Sequence, residues 1–463
     1  MQTITLAQPL SNGHFPPSLK SLPPFCRVAA TLTPSQDSDI KIEVWLPTAT
    51  NWNGKFQGVG NGGWAGSIAY SALAAALKRG YAASSTDTGH TGGRASFAMG
   101  HPEKLIDFGY RSEHEMTLTA KAIIDAFYGH PAKHSFFVGC SSGGRQGLME
   151  AQRYPADYDG IVAGAPTNNW THMMFGRIWV AQATLMDLAS YIPPSKYPLI
   201  HKAVLDACDS LDGVKDGVLE DPTQCRFDPR ELKCKHGDGP ECLTKPQVEA
   251  ALRIYTPARN SQTGQEIFPA MERGSELAWN TLAGGPKAIL LAEDYFRFVV
   301  FEDPRWDFKT LNFNSDVIKA DKKDGGILTA INPDLKSFVS RGGKLIQYHG
   351  WTDRQVMPRN SINYYNSVVK ATGLTGDVAK SYRLFMAPGM DHCGGGDGPN
   401  TFDALSALER WVEKGEPPSS LLASHRTSGK IDRTRPLCPY PQVAKYKGSG
   451  STNEAANFRC VAP

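Results

Sequence analysis

The chain has 463 residues, 41% of them apolar, and its 49 Lys and Arg nearly balance 46 Asp and Glu to leave a formal charge of +3. Apolar content of this order supports buried cores in two or three domains and argues against disorder or collagen-like repeats. Balanced charge gives no basic footprint for nucleic acid, and the alanine-rich stretch 69–77 is too short and too interrupted to span a bilayer.

The start, Met1-Gln-Thr-Ile-Thr-Leu, has none of the basic, apolar and small-residue segments of a secretory leader. Nine cysteines follow, at 26, 140, 208, 225, 234, 242, 393, 438 and 460. Cys208 and Cys225, Cys234 and Cys242, and Cys438 and Cys460 stand at bridge-like spacing. No C-x-x-C pair is present and no His lies at ligand spacing, so zinc is not expected. Disulfides imply an oxidising compartment, periplasmic or extracellular, and hence a leader removed upstream of Met1. The odd count leaves one thiol. Cys26 is the candidate, either because its partner lay upstream or because it is naturally buried and free.

Residues 40–46 alternate apolar and polar with β-branched side chains, which predicts a strand. Phe56 to Trp64 passes from a strand end into a glycine-rich loop, and 67–79 reads as a helix. Strand-like 80–86, helix-like 113–128 and the short apolar strand 134–138 repeat the alternation, which predicts a parallel sheet covered by helices. From about 168 the pattern gives way to clustered Asp, Cys, Pro and Trp, read as an inserted domain over 168–331. Alternation resumes with a strand at 344–349, a helix at 357–371, a strand at 382–386 and a helix at 402–414. The sheet domain is thus split into 1–167 and 332–463.

Gly139-Cys-Ser-Ser-Gly143 matches G-x-S-x-G between an apolar strand and a helix. Flanking glycines let the backbone turn sharply enough to lift the Ser141 hydroxyl off the sheet, the nucleophile elbow of α/β-hydrolases; a plain glycine-rich turn is the rival. A serine hydroxyl needs a base, and the base needs a carboxylate to hold its tautomer. Of twelve histidines, His14, His236 and His425 read as solvated loop residues. His392, in Met390-Asp-His-Cys-Gly-Gly-Gly396 just after a strand, is the candidate base. The acid should then fall between Ser141 and His392 in chain order. Asp353, in His349-Gly-Trp-Thr-Asp353, occupies that place, and Asp391 is a weaker alternative. Cys140 immediately precedes Ser141 and Cys393 immediately follows His392, so a bridge with Cα atoms about 5.5 Å apart would confine serine and imidazole to one region.

These motifs, with Tyr154-Pro-Ala-Asp-Tyr-Asp-Gly-Ile-Val-Ala-Gly-Ala-Pro166, resemble the tannase and feruloyl esterase family, which includes feruloyl esterases, tannases and mono(2-hydroxyethyl) terephthalate hydrolases. The resemblance runs over nearly the whole chain. It implies an α/β-hydrolase fold with a large inserted lid, a triad of Ser141, Asp353 and His392, and a Cys140–Cys393 bridge. One departure lies at the start, where the family's extra N-terminal segment, with a cysteine to match Cys26, is missing.

A tetrahedral intermediate needs donors aimed at its oxygen. The backbone N–H of Ser142 is one, and Gly60-Asn-Gly-Gly63 supplies the other, with Gly62 favoured and a simple tight turn as the alternative. In the insertion, Asp209, Asp212 and Asp216 place three carboxylates within eight residues. Hard oxygen ligands suit Ca²⁺, although the spacing is not that of an EF-hand and a solvated acidic turn is the rival. The resemblance implies a structural lid calcium held by Asp209, Asp212 and Asp216 with the carbonyls of Val214 and Val218.

The expected activity is hydrolysis of esters of aromatic acids through an acyl-enzyme, with small-molecule or plant cell-wall esters as substrates. Feruloyl esters come first, with galloyl esters and terephthalate monoesters as alternatives. Trp170, Phe175, Trp179, Tyr295, Phe296 and Trp306 could wall a phenolic ring or simply form the lid core. A serine peptidase on the same fold, or a secreted binding protein without catalysis, are the rival classes. Asn169-Trp-Thr171 is a glycosylation acceptor if the producer glycosylates.

Overall fold

The computed structural model describes residues 3–5, 22–372 and 380–463; His14 and the start of the chain at Met1 lie outside them. Its main strands are β1 (Thr3–Thr5), β2 (Phe25–Leu32), β3 (Ile40–Pro47), β4 (Lys55–Val59), β5 (Ala82–Thr86), β6 (His134–Cys140) and β7 (Gly160–Gly164). After a small antiparallel pair, β8 (Ala258–Arg259) and β9 (Glu266–Phe268), come β10 (Lys344–Gly350) and β11 (Tyr382–Ala387). Nine of these form one sheet in the order β1-β2-β3-β5-β4-β6-β7-β10-β11. The first four in that order pair antiparallel, and every pair from β5 to β11 is parallel. This mixed sheet with helices on both faces is an α/β-hydrolase fold.

Parallel neighbours require crossovers that return the chain to the same sheet end, and here helices provide them: α1 (Tyr70–Lys78), α2 (Pro102–Ile106), α3 (Ser112–Tyr128) and α4 (Ser142–Arg153). Side chains alternate across a strand, and adjacent residues divide accordingly. Phe137, Ile161 and Leu345 pack with Met116 and Ile124 of α3 and Leu148 of α4. Phe136, Val162 and Ile346 pack on the opposite face with Leu73 and Leu77 of α1 and Leu408 and Trp411 of the helix Ala404–Lys414.

Between β7 and β10 the chain forms α5 (Trp170–Leu185), α6 (Tyr197–Cys208), α7 (Lys245–Ile254) and shorter turns. Their apolar residues share one core with Trp64, Phe108, Val356 and Met357 from the sheet half, so the inserted segment packs directly over the loops that follow the strands. The six lid aromatics lie in or against this core. Trp170 and Thr171 of the glycosylation acceptor are buried as well.

Most predicted elements form with end shifts of a few residues. The helix expected from 67 begins at Tyr70, and the one expected from 402 begins at Ala404 because Asp403 caps it, accepting the Ser406 N–H at 2.9 Å. Strands β2 and β7 were not expected, nor were the hairpins β12 (Leu421–Thr427) with β13 (Lys430–Leu437) and β14 (Val443–Tyr446) with β15 (Phe458–Val461). His425, expected in a loop, lies in β12 and bonds Asp432 at 2.8 Å, whereas His236 is exposed as expected. Among the described residues no helix is long and apolar enough to cross a membrane.

Candidate active site

Strand β6 ends at Cys140 and α4 begins at Ser142, which leaves Ser141 alone at the turn with φ 63° and ψ −120°. A non-glycine residue in this region is strained, and the neighbours show what holds it. The Ser141 N–H donates to the Gly164 carbonyl at 2.9 Å, and its own carbonyl accepts from Arg145 N–H at 3.0 Å. A Cβ at Gly139 would stand 2.4 Å from the Gly143 carbonyl, so the flanking glycines are needed for close backbone approach.

The loop after β4 is drawn against this elbow. Gly143 N–H donates to Asn61 O at 2.7 Å, Ser142 Oγ donates to Gly63 O at 2.9 Å, and Gln146 Nε2 donates to Asn61 Oδ1 at 3.1 Å while its Oε1 accepts the Asn61 N–H at 2.9 Å. Gly60 N–H is spent on Val138 O. The N–H groups of Gly62 and Ser142 are left without a hydrogen-bond acceptor among the described residues, and a Cβ on Gly62 would face open space.

The other two candidates come from loops at the same end of the sheet. Asp353 follows β10 and is buried at 1% exposure. Its Oδ1 accepts the N–H groups of Gln355 at 2.7 Å and Val356 at 2.9 Å, and its Oδ2 accepts from His392 Nδ1 at 2.7 Å. Burial alone would raise the pKa of this carboxyl, but the charge and hydrogen bonds of His392 and His349 prevail and hold it well below the usual carboxylate range. Asp391 plays a different part from the alternative considered above. Its Oδ1 accepts the His392 backbone N–H at 2.7 Å and that of Arg354 at 3.3 Å, so it shapes the loop rather than facing the imidazole nitrogen.

Cys393 is bonded to Cys140 with Cα atoms 5.9 Å apart. Consecutive Cα atoms are about 3.8 Å apart, so Ser141 and His392 are held within about 14 Å of each other at the backbone. Among the described residues the His392 ring bonds Asp353 and makes no hydrogen bond to the serine hydroxyl, the looser arrangement common in enzymes without substrate. The other bridges join Cys208 to Cys225, Cys234 to Cys242 and Cys438 to Cys460, and Cys26 is free on β2.

Three participants were not foreseen. His349 was quoted only as part of a motif, Gln146 lies one helical turn beyond Ser142 with no local signature, and Arg177 comes from α5. Arg177 is buried, its Nε donates to Gln355 O at 2.9 Å, and burial pushes its guanidinium down to about 10 although the Asp353 charge opposes this.

The acidic loop of the insertion is a separate cluster. Asp209 Oδ1 accepts N–H groups of Asp216 and Gly217 at 3.2 and 3.1 Å, and Asp212 Oδ1 accepts that of Val214 at 2.8 Å. Burial, reinforced by the Asp216 and Asp209 charges, pushes the Asp212 carboxyl up to about 6. Glu220 alongside is pushed up to about 7 by burial, and its Oε2 has no hydrogen-bond partner. Carboxyl oxygens gathered this way suit a hard divalent cation, with Asp216 partly satisfied by Arg435 and Glu220 Oε2 3.9 Å from Arg435 Nη1. The loop also abuts the histidine loop: a Cβ on Gly389 would lie 2.6 Å from Val218 Cγ1. Among the described residues, the group of three His, Asp or Glu ligand atoms within 4.8 Å of one another lies elsewhere, at His114, Glu150 and Asp157, and could hold an ion. There His114 Nδ1 already bonds Asp157 Oδ2 at 2.6 Å.

A family model described as tannase and feruloyl esterase matches residues 26–461. An uncharacterized esterase of Xanthomonas campestris is 38% identical over 96% of this chain and 85% of its own. A probable feruloyl esterase B-1 of Aspergillus flavus is 34% identical over 94% of this chain and 86% of its own. Among solved structures, feruloyl esterase B from Aspergillus oryzae superposes with a TM-score of 0.90 at 32% identity, covering 94% of this chain and 90% of that one. Tannin acyl hydrolase from Aspergillus niger, at 22% identity and a TM-score of 0.83 over 100% of this chain and 90% of that one, shares the fold.

Proposed function

Because the chain belongs to the tannase and feruloyl esterase family and is a carboxylic ester hydrolase, we propose that it cleaves esters of hydroxycinnamic-type aromatic acids by a serine mechanism. Ser141 Oγ attacks the acyl carbonyl as His392 Nε2 takes its proton, and Asp353 holds the imidazole by its Nδ1–H and stabilises the imidazolium. The Ser142 and Gly62 N–H groups receive the oxyanion. His392 then protonates the leaving alcohol, and water, deprotonated by the same ring, releases the acid from Ser141. The observation that carries this reading is the 2.7 Å bond from His392 Nδ1 to Asp353, on a loop tied by Cys393 to the residue before Ser141.

Feruloyl esters are the preferred substrates because relatives at 34% identity are named feruloyl esterases; small-molecule and plant cell-wall esters both fit, with galloyl and terephthalate esters as alternatives. Residues 168–331 act as the lid of a catalytic domain formed by 1–167 and 332–463. Ca²⁺, when bound, serves the lid structurally, with Asp209, Asp212, Asp216 and the carbonyls of Val214 and Val218 as its ligands. Four disulfides suit a secreted or periplasmic enzyme.

The test is turnover of methyl ferulate, methyl gallate, a terephthalate monoester and a peptide amide by the wild type and Ser141→Ala. The expected loss is about 10⁴-fold or more, with methyl ferulate the best substrate. Equal turnover by the variant overturns the mechanism, and preference for the amide overturns the substrate class.

A further inference from the structure

A second imidazole faces the same carboxylate oxygen as His392. His349, the sixth residue of β10, is fully buried, and its Nε2 lies 3.1 Å from Asp353 Oδ2 and 2.9 Å from Val356 O. A carbonyl accepts only, and so does an ionised carboxylate, so the proton at this nitrogen belongs to the histidine. The Nδ1 atom is 2.7 Å from Ser361 Oγ, on the helix Arg359–Thr372, and Ser361 is buried too. In a neutral ring with the proton on Nε2, Nδ1 accepts the Ser361 O–H. In that form donation runs one way, from Ser361 to His349 to Asp353.

We propose that His349, with its Nε2 proton fixed by Val356 O and Asp353 Oδ2 and its Nδ1 held by Ser361, is a positioning residue for the reaction: it holds Asp353 Oδ2 in line with His392 and keeps that carboxyl ionised through the catalytic cycle. This rests on the serine mechanism proposed above. The physical need is specific. Asp353 is out of water, and its Oδ1 is held by two backbone N–H groups that belong to its own turn. Without His349, the oxygen that faces the catalytic ring would have His392 as its only described hydrogen-bond donor. By bonding both Val356 O and Asp353 Oδ2, His349 also closes the 353–356 turn from the strand side. Charged groups near the pair include His392 from the loop after β11, Arg177 from α5, which bonds Gln355 O, and Asp391 paired with Arg354.

The experiment compares wild type, His349→Phe, His349→Gln, Ser361→Ala and Ser141→Ala on methyl ferulate. Rates are normalised to sites labelled to completion by a phosphonate, or to folded protein for Ser141→Ala, and thermal unfolding is recorded separately. Phe keeps the ring volume without a donor, and Gln keeps an N–H. His349→Phe is expected to lower kcat by about 30-fold or more with KM within about twofold. It should also move the acidic limb of the kcat/KM profile to higher pH, because a less satisfied Asp353 carboxylate holds the imidazolium proton more tightly. His349→Gln should recover part of the loss, and Ser361→Ala should cost less than His349→Phe. If His349→Phe lowers only the unfolding temperature, with kcat per titrated site and the acidic limb unmoved, the inference is overturned. If Ser141→Ala retains turnover, the serine mechanism itself fails, and the two failures are thereby distinguished.

Discussion

The buried carboxylate Asp353 and the acidic loop of the insertion both adjoin the loop that carries His392, and their carboxyls are perturbed in opposite directions. Asp353 is held below the ordinary carboxylate range, whereas Asp212 and Glu220 are pushed up to about 6 and about 7. Burial opposes the charged form in all three, so the difference lies in what the polypeptide supplies. Around Asp353 it provides two backbone N–H groups and two imidazoles, one set of donors for each oxygen. In the lid loop the carboxylates face one another, and the nearby arginines satisfy only part of the set. The proposed proton-transfer site finds its donors within the polypeptide, whereas the acidic loop has fewer positive partners than carboxylates.

Substituting one member of each cluster gives the largest test of this contrast. Asp353→Asn should reduce kcat by about 10³- to 10⁴-fold, because the amide can stabilise the wrong imidazole tautomer, while Asp212→Asn leaves kcat within a few-fold. Initial rates on methyl ferulate decide it, and comparable losses in both would erase the distinction. Removing bridges sharpens it next. Cys140→Ala with Cys393→Ala should lower kcat at least tenfold as well as costing about 2–5 kcal/mol of stability. Cys208→Ala with Cys225→Ala should lower the unfolding temperature and the calcium response more than kcat.

The pH dependence of stability comes third. A carboxyl whose pKa is raised on folding contributes stability that is present below its unfolded value and lost as pH rises through its folded value. In chelator, therefore, Asp212 and Glu220 should make the unfolding temperature fall as pH rises from about 4.5 to 7. Added Ca²⁺ should flatten that slope and raise the transition, by about 2.7 kcal/mol at a hundredfold excess over Kd. Asp353 has the reverse sign, its contribution being lost only as pH falls through its depressed value. Asp87 and Glu113, also raised by burial to about 6 and about 8, add to the downward slope. The difference between wild type and Asp212→Asn isolates the lid loop, and an identical slope with and without Ca²⁺ would remove the cation from the account. The smallest effect belongs to Cys26: Cys26→Ser should leave turnover unchanged, and a thiol assay in denaturant should fall from one group to none.

Much of the fold was legible because period-2 and period-3.6 patterns are local. The strand at 40–46 and the helix at 113–128 announce themselves by which side chains must face inward, and 134–138 is read as a short apolar run entering the glycine-flanked serine. Strand β7 did not, since Gly160-Ile-Val-Ala-Gly164 is buried throughout and shows no alternation. The C-terminal hairpins were missed because the strands of the first are largely exposed and those of the second are only four residues long.

Within the candidate site, the elements readable from the chain were those in which chemistry is adjacent in sequence: the glycine-flanked Ser141, Asp353 after its strand, and His392 beside Cys393. The chain order of its apolar runs and cysteines thus determined by itself most of the parallel strands, the turn at Ser141 and the pairs to be bridged, but not the strand order or the antiparallel edge. Only the tertiary structure decided which groups meet across segments. Gln146 clasps Asn61 from 85 residues away and Arg177 reaches the turn at Gln355, 178 residues away. Asp391 serves the backbone and leaves the imidazole nitrogen to Asp353. A second ring from inside β10 shares the carboxylate oxygen that orients the first. Hydrogen bonds act over about 3 Å and carry no trace in sequence spacing, so these partners emerge only where strand ends and the inserted segment are packed together.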